Sequence, residues 1–222
     1  MQSIKPKWIK RIFVLILVIF ISYILYLNSL VKSQFSSEIE PKDNVVQIQN
    51  LIDDYPKELI NMLLLVEDQS FFNHKGVDFK EILRVLYGYL FEEKELRGAS
   101  TITQQLIKNT LLSRDKTLAR KTDEALMAIL MEMSYDKNFI LERYMNTVYL
   151  AQQGSTAIHG FASGSLHYFD KDVESLNLEE MATLVALLKG PSYYNPVNSP
   201  ERLSRRVEMI LSMHKNYKKI IQ

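Results

Sequence analysis

RKTDEALMAILMEMSY, residues 120–135, has the spacing of an amphipathic helix. Leu126, Ile129, Leu130 and Met133 lie three or four positions apart, which places them on one helical face. Comparable apolar stripes follow one another through most of the chain after residue 53, and no strand pattern is convincing. The sequence therefore predicts a mainly α fold, whose helix starts are marked by the pairs Asp78–Glu81, Thr101–Gln104 and Asn177–Glu180.

Composition limits the class of protein. The chain has 222 residues, of which 47% are apolar, and this is enough to form a core and to exclude an intrinsically disordered chain. It contains no cysteine, which excludes disulfides, cysteine-bound zinc, iron–sulfur clusters and thiol nucleophiles. The formal net charge of +1 does not indicate a nucleic-acid partner.

A membrane anchor is predicted at the N-terminus. Ile12–Val31 is an uncharged run of 20 residues, long enough as a helix to span about 30 Å of hydrocarbon. A cleaved signal peptide and a buried core helix are the alternatives, but the run is long for a signal sequence and no small-residue cleavage site follows it. We predict a cytoplasmic tail and transmembrane anchor over 1–34, a linker over 35–53 and a helical domain over 54–222. The cations that keep the N-terminus in the cytoplasm are Lys5, Lys7, Lys10 and Arg11.

Two carboxylates end a strongly apolar helical segment. Glu67 and Asp68 follow INMLLLV, and the aromatic pair Phe71 and Phe72 comes directly after them. A carboxylate at the rim of an apolar region suits a general base. The alternative is an ordinary acidic helix end exposed to solvent. A further apolar group fits either contact with the bilayer or the core, with the core favoured: Tyr87, Tyr89, Leu90 and Phe91.

A polar helix start and a basic stretch follow. In RGASTITQQLIKN, residues 97–109, small and hydroxyl residues lead into a helix whose free N–H groups would attract an anion. Residues 108–121 then contain five cations and one acid, although the chain after residue 34 has 22 basic and 26 acidic residues. Glu124 lies on or near the helical face of the last two cations, Arg120 and Lys121. The alternatives are a well-capped helix, a solvated basic face and simple helix ion pairs.

Together and in this order, these segments resemble the five successive motifs of the peptidoglycan glycosyltransferases, glycosyltransferase family 51. This family comprises the polymerising domain of class A penicillin-binding proteins and the monofunctional transglycosylases. The resemblance implies a monofunctional version with a lysozyme-like helical lobe and a small membrane-associated jaw. The segments are EDQSFFNHKG (67–76), RGASTITQQLIKN (97–109), RKTDEALMAILME (120–132), ILERYMNTVYL (140–150) and EEMATLVALLKGPSYYNP (179–196).

The resemblance also implies a reaction and a site. Lipid II is the acceptor, the growing lipid-linked glycan chain is the donor, and polyprenyl diphosphate leaves with inversion at the anomeric carbon. Glu67 matches the catalytic base and Glu124 the second acid, while Asp123 adds an acid among the cations. A divalent cation, Mg²⁺ or Mn²⁺, is implied, with no organic cofactor and with other cell-wall synthesis proteins as partners. The implied substrate-binding residues are Arg84, Ser100, Gln105, Lys108, Lys116, Arg120 and Lys121.

The residue types distinguish this reaction from its rivals. A glycoside hydrolase needs a protonated acid besides its second carboxylate. A diphosphate already leaves well, so it needs only cations, N–H donors and one base for the incoming hydroxyl. A lytic enzyme of similar fold would leave the basic stretch without a task, and a membrane-anchored scaffold would not need Glu67. The predicted location is the outer side of the bacterial cytoplasmic membrane, with a single membrane pass.

Overall fold

The computed structural model describes residues 7–36, 44–92, 98–113, 115–217 and 220–221. These residues form nine α-helices and three short strands, so the predicted mainly α class is confirmed. The tail 1–6, residues 37–43 of the predicted linker and Arg114 of the basic stretch lie outside the described residues. The elements are α1 (Lys7–Phe35), β1 (Val45–Gln47), α2 (Lys57–Glu67), α3 (Phe79–Phe91), α4 (Ile102–Leu111), α5 (Leu118–Ser134), α6 (Lys137–Thr147), β2 (Tyr149–Gln153), β3 (Thr156–His159), α7 (Phe161–Phe169), α8 (Leu178–Leu187) and α9 (Pro200–Asn216).

The N-terminal helix has two parts with different surroundings. Within the described part of the chain, α1 is the one helix long and apolar enough to cross a membrane, judged by length and composition. Its residues up to Tyr26 are nearly all exposed. Leu27, Val31 and Phe35 are buried, because this last part of α1 packs against α5 and α4. The apolar N-terminal helix predicted from the sequence is therefore present, and its final turns are part of the core.

Helix α2 is the centre of the core. Its residues from Leu59 to Leu65 are all buried, and α8 and α9 pack against it. Pro56 is the N-cap residue, as the fixed φ of proline favours at a helix start. The helix ends where the N–H of Asp68 donates to the carbonyl of Leu64. A central, fully packed helix therefore ends at the two carboxylates singled out in the sequence.

Two predicted apolar stripes are oriented differently from the expectation. In α5 the buried face carries Glu124, Met127, Ala128 and Met131, whereas Met133 of the predicted stripe is 77% exposed. The predicted stripe is only partly right: Leu126 and Leu130 are partly buried and pack against the core, but the most buried face of the helix is displaced from it. Periodicity does not indicate that a glutamate turns inward when cations of its own helix neutralise it. In α3 the predicted core face is also wrong, since most of its apolar side chains are exposed: Ile82, Leu86, Tyr87, Tyr89, Leu90 and Phe91.

The domain also contains a small sheet with strand order β1-β3-β2, which the sequence did not predict. Strand β2 pairs antiparallel with β3 through a two-residue connection in which Gly154 has a positive φ of 59°, a conformation that tight hairpin turns require. Strand β1 pairs parallel with β3, with Val45 opposite Ala157. Since β1 lies in the predicted linker, the described part of that segment is attached to the domain. Asn146 strengthens this attachment by hydrogen bonds to both backbone groups of Asn50.

Candidate active site

The ends of α2 and α4 are joined by the carboxylate of Asp68. Its Oδ2 accepts a hydrogen bond of 2.9 Å from the backbone N–H of Ile102, the first residue of α4. His74 Nε2 lies 3.0 Å from the same oxygen, and both side chains are buried. Gly76 completes the junction, since its carbonyl accepts from the hydroxyl of Thr101 at 2.6 Å. These contacts hold Glu67 next to the first turn of α4.

Glu67 is half-buried and oriented by a relay of two side chains. Its Oε2 accepts a hydrogen bond of 2.9 Å from Nε2 of Gln105. The hydroxyl of Tyr144 in α6 donates to Oε1 of the same glutamine at 3.1 Å. Because the tyrosine donates, the glutamine must present its amide N–H₂ to Glu67. The relay therefore fixes one oxygen of Glu67, while no partner for Oε1 is found among the described residues.

Burial raises the pKa of Tyr144 well above its ordinary value, and the carboxylates of Glu67 and Asp68 add to this effect. The hydroxyl thus stays a donor over the pH range in which a carboxylate is charged. The pKa of Tyr144 is therefore higher in the folded protein than in the unfolded chain, where it is about 10. The stability that this tyrosine contributes is fully present below about pH 10 and is lost as the pH rises toward the folded-state pKa.

We expect Tyr144→Phe to reduce the alkaline loss of stability. Thermal midpoints measured between pH 8 and pH 11 should fall less steeply in the variant than in the wild type. Tyr55, whose pKa burial also raises, should keep the slope from vanishing. At pH 7.5 the variant should lose about 1 kcal/mol of stability, the usual value of one buried hydrogen bond. An identical pH slope in both proteins would contradict this role of the tyrosine.

Glu124 is the centre of a second cluster. It is 1% exposed and pairs with two cations of its own helix, Arg120 at 2.8 Å and Lys121. Lys121 also donates to the hydroxyl of Ser100 at 2.8 Å. Ser100 directly precedes Thr101, the N-cap residue of α4, so the second cluster meets the same helix start as Glu67. The structure therefore places both acids around one end of α4.

The predicted anion site at the N–H groups of α4 is wrong in its detail. The N–H of Ile102 is already bound to Asp68, an anion of the protein itself. Thr101 and Gln104 form a complete capping box, in which each side chain accepts from the backbone N–H of the other. Among the described residues, Lys121 is in contact with this helix start through Ser100, so its side chain is a candidate to bind a substrate anion here.

The family model for transglycosylase matches residues 33–215 of the chain. This protein belongs to the transglycosylase family.

Curated relatives of this transglycosylase agree with the family assignment. The chain is 41% identical over 178 residues to penicillin-binding protein 1B of Haemophilus influenzae, which is 80% of the chain and 23% of that protein. It is 44% identical over 161 residues to penicillin-binding protein 1B of Vibrio cholerae, with 72% and 21% covered. Penicillin-binding protein 1A of Neisseria lactamica is 45% identical over 161 residues, with 72% and 20% covered. The chain thus spans about a fifth to a quarter of the length of these relatives.

Three predicted binding residues of the transglycosylase lie outside the two contact clusters. Lys108 is exposed and lies three residues after Gln105, so the two occupy the same face of α4. Lys116 is exposed near the start of α5. Neither lysine has a hydrogen bond or ion pair within the described part of the chain. Arg84 on α3 is exposed and pairs with Glu81, so it has a competing partner of its own.

A buried polar group beside His74 was not predicted from the sequence. Glu132 accepts from Thr103 at 2.7 Å and pairs with Lys137 at 2.7 Å, and it lies 3.6 Å from Nδ1 of His74. Burial lowers the pKa of Lys137, although the ion pair with Glu132 opposes this shift. Tyr144 was assigned only to an apolar stripe. The single sequence signal was its hydroxyl, since a buried tyrosine usually finds a hydrogen-bond partner.

Among the described residues, we find no set of side chains that would by itself hold the divalent cation implied by the resemblance. The described residues contain no group of three or more His, Asp or Glu side chains placed to hold a metal ion. Glu124 has an oxygen bound to each of its two cations, which leaves it a poor metal ligand. No step is therefore assigned to a metal, and the cation stays a prediction.

Proposed function

We propose that this transglycosylase polymerises lipid II into glycan strands of peptidoglycan. The 4-hydroxyl of the acceptor attacks the anomeric carbon of the lipid-linked donor chain, the new glycosidic bond forms with inversion, and polyprenyl diphosphate leaves. The observation that supports this most directly is the meeting of Glu67 with the Ser100–Lys121–Glu124 cluster around one end of α4. One carboxylate for a proton and a set of cations for a diphosphate are what the reaction requires.

Glu67 is the proposed general base. Gln105 holds Oε2, so Oε1 is the atom free to accept the proton of the attacking hydroxyl. Tyr144 orients the glutamine from the far side and is not itself a proton acceptor, because its raised pKa keeps it protonated. The relay therefore fixes the carboxylate in one orientation before the substrate binds, and such preorganisation lowers the cost of reaching the transition state.

The cations bind the leaving diphosphate in this proposal. Arg120 and Lys121 together carry two positive charges against the single negative charge of Glu124, so the cluster retains a net positive charge. Lys121 is 44% exposed and can turn toward a ligand, whereas Arg120 is held more deeply. Lys108, Lys116 and, more distantly, Arg84 supply further positive charge. A diphosphate gains negative charge as it leaves, so these cations stabilise the transition state more than the bound donor.

The membrane positions both substrates. The cations Lys10 and Arg11 precede the apolar part of α1, which favours a cytoplasmic N-terminus and a catalytic domain on the outer side. The exposed apolar face of α3 is the proposed membrane-associated jaw. An enzyme tethered to the bilayer meets lipid-linked substrates at a high effective concentration. Other cell-wall synthesis proteins stay a predicted class of partner.

The test of the function is polymerisation by the purified full chain in detergent or liposomes. Lipid II is added, and the products are separated on a gel that resolves glycan strands by length. A ladder of strands is expected. Release of fragments from pre-formed glycan, without polymer from lipid II, would instead indicate the lytic enzyme. If neither reaction occurs and the chain still binds cell-wall proteins, the scaffold is the better interpretation.

Lys108→Ala should weaken binding of the lipid-linked donor by about 1.5–3 kcal/mol, the usual value of a hydrogen bond to a charged group. The substitution removes a charged hydrogen-bond donor from the proposed diphosphate site. Because Lys108 is exposed and unpaired within the described residues, the free energy of unfolding should stay nearly unchanged. Binding is measured by titrating fluorescent lipid-linked donor into the liposome-bound chain. Lys215→Ala, at the exposed end of α9, is the matched control. Equal affinity of the Lys108 variant and the control would remove Lys108 from the diphosphate site.

A further inference from the structure

A hydrogen bond joins the anchor helix to the helix that carries the diphosphate cations. The hydroxyl of Tyr23 donates to Oδ1 of Asp123 at 2.6 Å, between residues 100 positions apart. The length is typical of an O–H donor bound to a charged carboxylate, which is among the stronger kinds of hydrogen bond. Asp123 is half-buried and adjoins Glu124, the acid that pairs with Arg120 and Lys121.

Tyr23 lies at the membrane end of the packed stripe of α1. Tyr23, Leu27, Val31 and Phe35 are each four residues apart and share one helical face. The last three are 3%, 0% and 4% exposed, whereas Tyr23 is 40% exposed and contributes its hydroxyl instead of apolar contact. The packed face of the anchor therefore begins with a polar contact and continues with apolar ones.

The contact lies near the outer end of the exposed part of α1. The 15 residues from Ile12, which follows the cations Lys10 and Arg11, to Tyr26 are nearly all exposed and precede the buried part of the helix. Tyr23 lies within one helical turn of the end of this exposed part. Tyrosine is enriched at membrane interfaces because its ring is apolar and its hydroxyl polar.

Apolar contacts alone do not fix the register of two packed helices well. A stripe of Leu27, Val31 and Phe35 could slide or rotate against α5 at little cost. A single directed polar contact selects one register, as buried polar residues do in coiled coils. We infer that Tyr23 and Asp123 form a latch that fixes the depth and rotation of the catalytic domain on its anchor. This inference rests on the proposed function, because the latch fixes the position of the proposed diphosphate-binding cations relative to the anchor helix.

The test uses the full chain in nanodiscs of phosphatidylethanolamine and phosphatidylglycerol. Because the natural sequence has no cysteine, two introduced cysteines accept spin labels without a background. Ile19→Cys on α1 and Met133→Cys on α5 are exposed sites for this pair. The distance distribution between them should be narrow in the wild type and broader in Tyr23→Phe and Asp123→Asn. Tyr26→Phe, which removes a hydroxyl from an exposed position three residues on, should leave it narrow.

Kinetics provide a second measurement. The latch variants should raise KM for lipid II by about three- to tenfold while kcat stays within about twofold, because chemistry is intact and only the presentation of the site changes. The double variant should be no worse than either single one, since both break the same contact. Narrow distances and wild-type KM in both single variants would overturn the latch. A wild-type chain without polymerase activity would instead refute the proposed function, and the distance measurement would still decide on the latch.

Discussion

Glu67→Gln should abolish polymerisation of lipid II, lowering kcat by about 10²- to 10⁴-fold, the contribution typical of a general base. Glutamine has the same shape and cannot accept the proton of the attacking hydroxyl at neutral pH. Glu67 is half-buried at the last residue of α2, and its structure-holding neighbour is Asp68, whose hydrogen bond to Ile102 the substitution leaves in place. The thermal midpoint should therefore stay within about 2 °C of the wild type. A strand-length gel and a thermal scan of the same preparation measure both quantities.

Glu201→Gln is the matched control for this variant. Glu201 is an exposed glutamate in the first turn of α9 and lies outside the five motifs. It should keep the polymerisation rate of the wild type. Donor binding offers a further check, because a residue that acts only as a base should leave the affinity for the lipid-linked donor nearly unchanged. If the Glu67 variant polymerised at a rate near the wild type, another group would have to accept the proton.

Glu124→Ala should lower both stability and activity. The carboxylate is 1% exposed, and its removal leaves Arg120 and Lys121 without their common partner. Breaking a fully buried pair costs about 3–5 kcal/mol, but the two cations are 17% and 44% exposed and water can solvate them in part. We therefore expect a loss of about 2 kcal/mol in the free energy of unfolding. Polymerisation should fall about 100-fold, since small displacements of binding groups carry losses of that size.

Two further variants separate stability from catalysis at this site. Glu124→Gln keeps the volume and one hydrogen-bonding oxygen, so it should recover most of the stability and little of the activity. Glu180→Ala removes another glutamate paired with a lysine, Lys171, at the start of α8. It should cost about 1 kcal/mol through the lost helix cap and leave polymerisation unchanged. An active and stable Glu124→Ala protein would show that Arg120 and Lys121 need no partner to be positioned.

The candidate site was predictable as a set of residues and only partly as a geometry. Glu67, Gln105, Ser100, Lys121 and Glu124 were all selected from the sequence, and the structure places them in two clusters at the end of α4. Their roles are still predictions. The motifs could not indicate which side chain accepts a hydrogen bond from the first backbone N–H of α4. Capping residues were visible in the sequence, whereas Asp68 reaches that position only through the folding of residues 68–76.

The features of this fold that could be predicted from the sequence alone are those set by local signals. Apolar spacing, capping residues and the uncharged run of α1 act over three or four residues or within one helix, and they sufficed for a mainly α chain with one membrane-length helix. The tertiary structure alone decided the contacts between distant segments. These are the inward turn of Glu124, the pairing of β1 with β3 and the bond from Tyr23 to Asp123. Each depends on a polar, charged or backbone group finding a partner that no local pattern specifies. For Glu124, which is 1% exposed, burial makes that partner necessary.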